Sequence, residues 1–339
     1  MERKRFLIIR LSSIGDILLT TPFIRSLRQK FSDAEIDYLV KDEHYELLEH
    51  NPYLDDIHLF KAADGFSELR KWRRFIRQNG YSEIFDLHRS FRSIIMTGAM
   101  RGVNVRRVNK RLLRRFLLIK FGINLYKKIT PLPERYIETA SDHGLGDDGK
   151  GLDLISNEPI DIFNGKKSSH RYMIAMAPGA GYYTKRWPVE YFAKLGDNLI
   201  ENADAQIILV GSADDKQAAD EIKRRMKNEV KDLTGEYSIP EVAAIFKSVD
   251  AVITNDSGLM HVAVSQDVSL VSFFGSTTKE LGFFPYNAHS KVLEVDGLKC
   301  RPCTHIGRER CPLNHFKCMK EITPAAAYEA VIKQLSRKR

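Results

Sequence analysis

Four stretches of the chain place chemically capable side chains among small residues. In "RLSSIGDILLTTPFIRSLR" (10–28), Asp16 follows the apolar run "RFLIIR" at the point where a strand hands over to a helix. Two roles suit it: a helix N-cap or first-turn carboxylate favoured by the helix dipole, or a general base within reach of an acceptor hydroxyl. "APGAGYYTKRWP" (177–188) is a glycine-bearing turn. Gly179 lets backbone N–H groups approach a phosphate, and Lys185, beside Thr184, adds a positive charge. An ordinary strand-to-helix turn is the competing reading, since the GxxxxGK[ST] pattern is absent and no GxGxxG follows the first strand. In "TNDSGLMHVA" (254–263), Asn255 or Asp256 can cap the next helix, or the Ser257 and Gly258 amides can meet a phosphate with His261 one turn further on. A buried, satisfied histidine is the plainer role for His261. "LVGSADD" (209–215) offers Asp214 or Asp215 to a ribose hydroxyl, or to a helix cap.

Cys300, Cys303, Cys311 and Cys318 form C-x2-C-x7-C-x6-C, with His305 and His315 interspersed. In a reducing compartment this spacing fits a closed structural zinc site better than disulfides, with packed thiols as the alternative.

The elements that must carry these residues alternate. "RFLIIRL", "AEIDYLV", the end of "HYELLEHNPYLDDIHLF" and "YSEIFDLH" read as strands, with helical stretches such as "DILLTTPFIRSLRQKF" and "SELRKWRRFIRQNG" between them. Pro22 falls inside or near the start of the first helix, and Gly80 closes the second. Residues 142–169 are rich in Gly, Asp, Ser and Lys and read as a linker holding a short strand. A second series follows: strands "RYMIAMA", "AQIILV", "AVITN" and "VSLVSFF", helices between them, and a terminal helix over 323–337. Alternation of this kind means parallel sheets in an α/β fold. The 339 residues divide into a first domain at 1–165, a second domain at 170–322 and a terminal helix at 323–339 packing back toward the first domain.

The chain is 43% hydrophobic with a formal charge of +9. No apolar stretch reaches the roughly 20 residues that span a bilayer, and the basic N-terminus lacks an apolar core with a cleavage site, so the expected location is cytoplasmic. Between Asp86 and Glu134 there is no acidic residue, while arginine and lysine recur. A solvated basic face is one reading; a surface for an anionic glycolipid or membrane headgroups is the other. In "RRVNKRLLRRFLLIKFG", apolar residues near helical spacing make a basic amphipathic helix suited to a membrane surface. Nucleic acid is disfavoured because no aromatic platform or nucleic-acid motif accompanies the charge.

Together, "RLSSIGDILLTTP", "DLHRSFRS", "APGAGYYTKRWP", "TNDSGLMHVA", "FFGST" and the tail "CRPC…CP…CM" resemble glycosyltransferase family 9, the ADP-heptose:lipopolysaccharide heptosyltransferases, the tail being more similar to the heptosyltransferase II group. The resemblance implies a GT-B fold of two Rossmann-like, doubly wound domains facing across a cleft. It implies inverting transfer of heptose from ADP-heptose to the Kdo or heptose of the lipopolysaccharide inner core, without a catalytic metal or other cofactor, at the cytoplasmic face of the inner membrane. The absence of a DxD-like motif agrees. Carried over, Asp16 matches the general base and Lys185 the lysine on the donor phosphate. Gly179, Thr184, Asp256, Ser257, Gly258 and His261 match donor-binding positions. Asp214 stands in for a ribose-binding glutamate whose place Ala213 takes. Ser12, Ser13 and Gly15 become small residues that let substrates close over the strand end, and Arg89 and Arg92, with the 106–115 cluster, hold acidic groups of the acceptor. A family member with another sugar or acceptor, and a non-catalytic nucleotide-binding protein, are the alternatives.

Overall fold

The computed structural model describes residues 3–98, 102–156, 160–162 and 170–337. The chain forms two compact units, 1–111 with 132–155, and 112–131 with 156–339. Relative to the expected division, residues 112–131 cluster with the second unit although they interrupt the first.

In the first unit the strands are β1 (Arg5–Ile9), β2 (Glu35–Lys41), β3 (Asp56–Phe60), β4 (Glu83–Asp86) and β5 (Asn104–Arg107). They pair in parallel in the order β3-β2-β1-β4-β5. Phe6, Leu7, Ile8 and Ile9 of β1 are fully buried. A central parallel strand is covered on both faces, which is why β1 reads as a continuous apolar run rather than an alternating one. The helices are α1 (Ile14–Leu18), α2 (Thr21–Lys30), α3 (Gly65–Gln78) and α4 (Phe91–Thr97). The single helix expected after β1 is two, and Pro22 sits in the first turn of the second, where its missing N–H costs nothing. Gly80, φ 61°, follows the end of α3, as its type predicts.

α5 (Leu112–Phe121) belongs to the second unit, whereas α6 (Leu132–Ile137) packs on α2 of the first. The second sheet holds β6 (Tyr172–Ala177), β7 (Ala205–Leu209), β8 (Lys231–Asp232), β9 (Ala251–Asn255), β10 (Ser269–Phe274) and β11 (Ser290–Glu294), all parallel, in the order β11-β10-β9-β6-β7-β8. Its helices are α7 (Val189–Ala203), α8 (Lys216–Arg225), α9 (Ile239–Ser248), α10 (Gly258–Ser265), α11 (Lys317–Lys320) and α12 (Pro324–Arg337). Sequence capping signals hold locally: Ser238 and Glu241 form a reciprocal capping box at the start of α9. The terminal helix α12 packs on α7 and against β9, β10 and β11 of its own unit. Trp187 shows why: its indole stacks on Phe273 at 4.1 Å and donates to the Ile322 carbonyl at 2.9 Å, so the segment leading into α12 is tied to the sheet's own core.

The strand expected in the linker is absent at 145–156, and positions 157–159 and 163–169 of that stretch lie outside the described residues. β5, β8 and β11 were not anticipated. β5 and β11 are edge strands with half-exposed, charged sequences, and β8 has only two residues, so none carries a strong apolar signal.

Both sheets are doubly wound. The strand order reverses between β1 and β4 in one and between β6 and β9 in the other. In open α/β sheets the loops leaving the carboxyl ends of such a pair splay apart, and ligands bind between them.

Candidate active site

In the first unit the reversal point brings together the ends of β1 and β4. Asp16 is the third residue of α1, with Ser13 as N-cap, so the first-turn reading holds locally and the N-cap one does not. Arg10, unremarked in the sequence, organises the cluster. Its guanidinium donates to the Ser12 carbonyl at 2.9 Å, to the Leu87 carbonyl at 2.9 Å and to Asp16 Oδ1 at 2.6 Å. It therefore ties the two strand ends together and fixes one oxygen of the carboxylate. Among the described residues, Oδ2 keeps the Ser13 hydroxyl, at 3.2 Å. Burial works hardest against the charge of Arg10, but Asp16, Tyr136 and Tyr38 together outweigh it and raise its pKa. Around the pair lie neutral groups. Burial pushes the Tyr38 and Tyr136 phenols up, and burial with the Arg10 and Lys110 cations holds His88 down to about 3.

Arg89 takes a left-handed φ of 45° because buried Asp86 accepts its N–H at 2.6 Å. Its guanidinium donates to the Val108 carbonyl at 3.0 Å, while Arg92 is exposed on α4. The cluster beyond them is less available than its composition implies. Arg106 pairs with Glu83 and Asp142, each at 2.5 Å, Arg111 pairs with Glu138 at 3.1 Å, and Arg107 approaches Asp86 at 3.6 Å. These arginines neutralise carboxylates that are distant in sequence, which no local reading of an acid-free stretch reveals.

In the second unit the reversal point joins the loop after β6 to the end of β9. Asn255 does the stitching: its side chain donates to the Pro178 carbonyl at 2.7 Å and accepts from the Trp187 N–H at 2.9 Å. Asn255 and Asp256 are thus not helix caps; Ser257 is the N-cap of α10. Lys185 Nζ lies 2.8 Å from Asp256 Oδ2, which also accepts from the Thr277 hydroxyl at 2.6 Å. Gly258 begins α10, whose first amides lie beside this pair in the chain, and His261 is buried one turn further in. Thr184 is buried and its hydroxyl accepts from the Arg308 N–H at 2.8 Å, so it braces a loop.

Gly179 must be glycine, because a Cβ there would run into the Asp215 carboxylate. That carboxylate is engaged in capping α8's approach, accepting from the Ser212 N–H at 2.9 Å and hydroxyl at 2.8 Å. The two aspartates left open by the sequence both line, with Gly179, Trp187 and Phe316, a cavity of about 420 Å³; Asp214 is exposed there and Asp215 is half-buried.

A profile of Glycosyltransferase family 9 (heptosyltransferase) matches residues 69–313. The chain is 30% identical over 305 residues, 84% of this chain and 86% of the relative, to lipopolysaccharide heptosyltransferase 2 of Salmonella typhimurium. The chain belongs to glycosyltransferase family 9. Among solved structures, a family 9 glycosyltransferase from Veillonella parvula superposes with a TM-score of 0.77 at 23% identity, covering 98% of this chain and 97% of that one. The ADP-heptose lipopolysaccharide heptosyltransferase II of Escherichia coli superposes with a TM-score of 0.71 at 23% identity, covering 98% and 99%. This family 9 chain therefore has the GT-B fold, is a glycosyltransferase, and is heptosyltransferase II-like.

In this transferase the cysteine tail has a use that the thiols did not advertise. Among the described residues no three His, Cys, Asp or Glu side chains gather as metal ligands. Burial raises the Cys303 thiol and pushes Cys318 up to about 12. Arg301, inside "CRPC", is the working residue. It donates to the Gly275 carbonyl at 2.6 Å and the Thr277 carbonyl at 3.0 Å and pairs with Glu294 at 2.8 Å. The Cys303 N–H reaches the Ser276 carbonyl at 3.2 Å. The tail thereby holds the loop that delivers Thr277 to Asp256. Arg10, Thr277 and Arg301 were missed because each acts through partners far along the chain; only "FFGST" hinted at the second.

Proposed function

We propose that the protein transfers heptose from ADP-heptose, with inversion and without a catalytic metal, to the inner core of a lipopolysaccharide precursor at the cytoplasmic face of a membrane. The carrying observation is the pairing at the first reversal point: Arg10 fixes Asp16 Oδ1 while Oδ2 keeps one weak contact with a hydroxyl. A carboxylate held in this way is aimed, and it has a free lone pair for a proton.

In the reaction, Oδ2 of Asp16 takes the proton of the acceptor hydroxyl as that oxygen bonds to the anomeric carbon. The bond from that carbon to the β-phosphate oxygen breaks, and its electrons leave with ADP. Growing negative charge on the diphosphate is met by Lys185 and by the amides of Ser257 and Gly258 at the start of α10, as preorganised dipoles meet an oxyanion. Asp256, buried and hydrogen-bonded by Thr277, holds Lys185 in place. Asp214 takes a ribose hydroxyl, and the Gly179 turn admits the nucleotide. Exposed Arg92, with Arg89, attracts the carboxylates and phosphates of the acceptor, while Ser12, Ser13 and Gly15 leave room for it. The heptosyl donor and lipopolysaccharide acceptor rest on the names of the relatives at 30% identity, and the membrane location on the acceptor's class.

Incubation with ADP-heptose and a Kdo-bearing acceptor tests this. ADP release that requires both substrates, with a product heavier by one heptose, is expected; ADP release with another nucleotide-sugar and none with ADP-heptose overturns the donor assignment.

A further inference from the structure

Sixteen large apolar residues are exposed among those described, and seven of them fall within the 18 residues from Leu112 to Ile129. Single exposed apolar side chains are ordinary; a concentration of this kind marks a surface that something covers. α5 is turned inside out. Its buried side carries Leu118 and half-buried Arg115, whereas Leu113 and Phe116 face solvent at 69% and 51% exposure. Phe121, at 65%, rests edge-on against Phe116 at 5.9 Å, and Ile123 and Leu125 continue the exposed set beyond the helix. The segment is held down at its other side: Tyr126 is buried, and Asn124 donates to Glu280 at 3.1 Å.

What lies between the apolar residues selects the partner. Arg114, Lys120 and Lys127 are exposed there, and the chain has no acidic residue from 87 to 133. A protein partner would need an apolar, wholly anionic groove. A bilayer with anionic headgroups supplies both features by construction: aromatic and leucine side chains enter the headgroup–acyl boundary while flanking cations stay at the phosphates. We propose that residues 112–129 form the element by which this transferase docks on an anionic lipid bilayer, Leu113, Phe116 and Phe121 inserting and Lys120 and Lys127 meeting headgroup phosphates. This deepens the reading above, in which the acceptor is anchored in a membrane, by naming the segment that brings the enzyme to it.

The full-length protein, without donor or acceptor, is co-sedimented with vesicles of phosphatidylethanolamine and phosphatidylglycerol, and with vesicles of phosphatidylcholine alone. Binding to the anionic vesicles is expected, weakened but not abolished by salt. A Phe116→Gln, Phe121→Gln double variant loses roughly tenfold in partition, and a Lys120→Glu, Lys127→Glu variant loses the preference for anionic lipid. Absence of vesicle binding, or equal binding by the native chain and the double variant, overturns the proposal. So does a dimer in lipid-free light scattering that the double variant dissociates, which assigns the face to a second copy of the chain. Each protein is also assayed on a water-soluble, deacylated Kdo acceptor. Failure there with vesicle binding intact overturns the enzymatic reading and leaves the docking surface standing.

Discussion

The two reversal points are built alike and expose opposite charges. Each holds a carboxylate paired to a cation at the end of a central strand, Arg10 with Asp16 at 2.6 Å and Lys185 with Asp256 at 2.8 Å. In the first, the cation is the more buried partner: the side chains of Arg10 and Asp16 are 10% and 21% exposed. In the second the order is inverted, with Lys185 at 16% and Asp256 at 4%. In the proposed mechanism the fold presents a carboxylate where a proton is taken and a cation where a phosphate is held, according to which member of the pair is sunk into the loop. On that proposal the buried member orients and the exposed member works. Removing a buried member leaves its partner's charge unpaired, at a cost of up to about 3–5 kcal/mol, so a variant at a buried member is read for folding as well as for rate.

The largest expected effect falls on an exposed member. Asp16→Asn keeps an oxygen for Arg10 and removes the basic lone pair, so kcat falls by about 10²- to 10⁴-fold with KM for the donor unchanged. Steady-state ADP release checks it; a rate near that of the native chain returns Asp16 to the role of a helix-turn carboxylate. Arg10→Gln comes next. It leaves Asp16 present but unaimed, and kcat drops by up to about a hundredfold. A merely structural role would lower the melting temperature and leave kcat per folded molecule in place. On the other side, Thr277→Val frees Asp256 and loosens Lys185, raising the donor KM by about tenfold with kcat little changed.

The smallest effect is on stability. His88 is held neutral down to about 3 by its burial and by Arg10, Lys110 and Lys41, against the opposing pull of Asp16. From its unfolded value near 6.5 downward, the unfolded chain binds a proton that the folded chain refuses, so stability is lost as pH falls through that window. His88→Gln removes this contribution. Its melting temperature falls less between pH 7 and pH 5 than that of the native chain, as read by differential scanning calorimetry.

Legibility in the sequence follows the range of the interactions. Strand–helix alternation, the central apolar strands, the break at Pro22 and the stop at Gly80 are local, and all are present in the fold. The residues that line the reversal points were legible too, because loops leaving parallel strands must carry small and polar types. Asp16, Lys185 and Asp256 were each singled out. The pairings were not legible. Nothing near Arg10 announces Leu87, and nothing near Arg301 announces Thr277, for these contacts exist only once distant strands lie side by side. The same blindness made the 106–111 arginines look free when Glu83, Asp142 and Glu138 neutralise them, and hid Arg301, between the cysteines, as the residue that holds the Thr277 loop. Edge strands such as β5 and β11 lack the burial that writes a strand into composition.

The inversion of the two pairs is tested most directly by ADP binding, measured by calorimetry on the native chain, Asp16→Asn and Lys185→Met. The native chain and Asp16→Asn are expected to bind ADP with the same Kd, while Lys185→Met binds it about 10- to 100-fold more weakly. Equal affinity in all three, or loss of ADP binding in Asp16→Asn, contradicts the assignment of one exposed charge to the proton and the other to the phosphate.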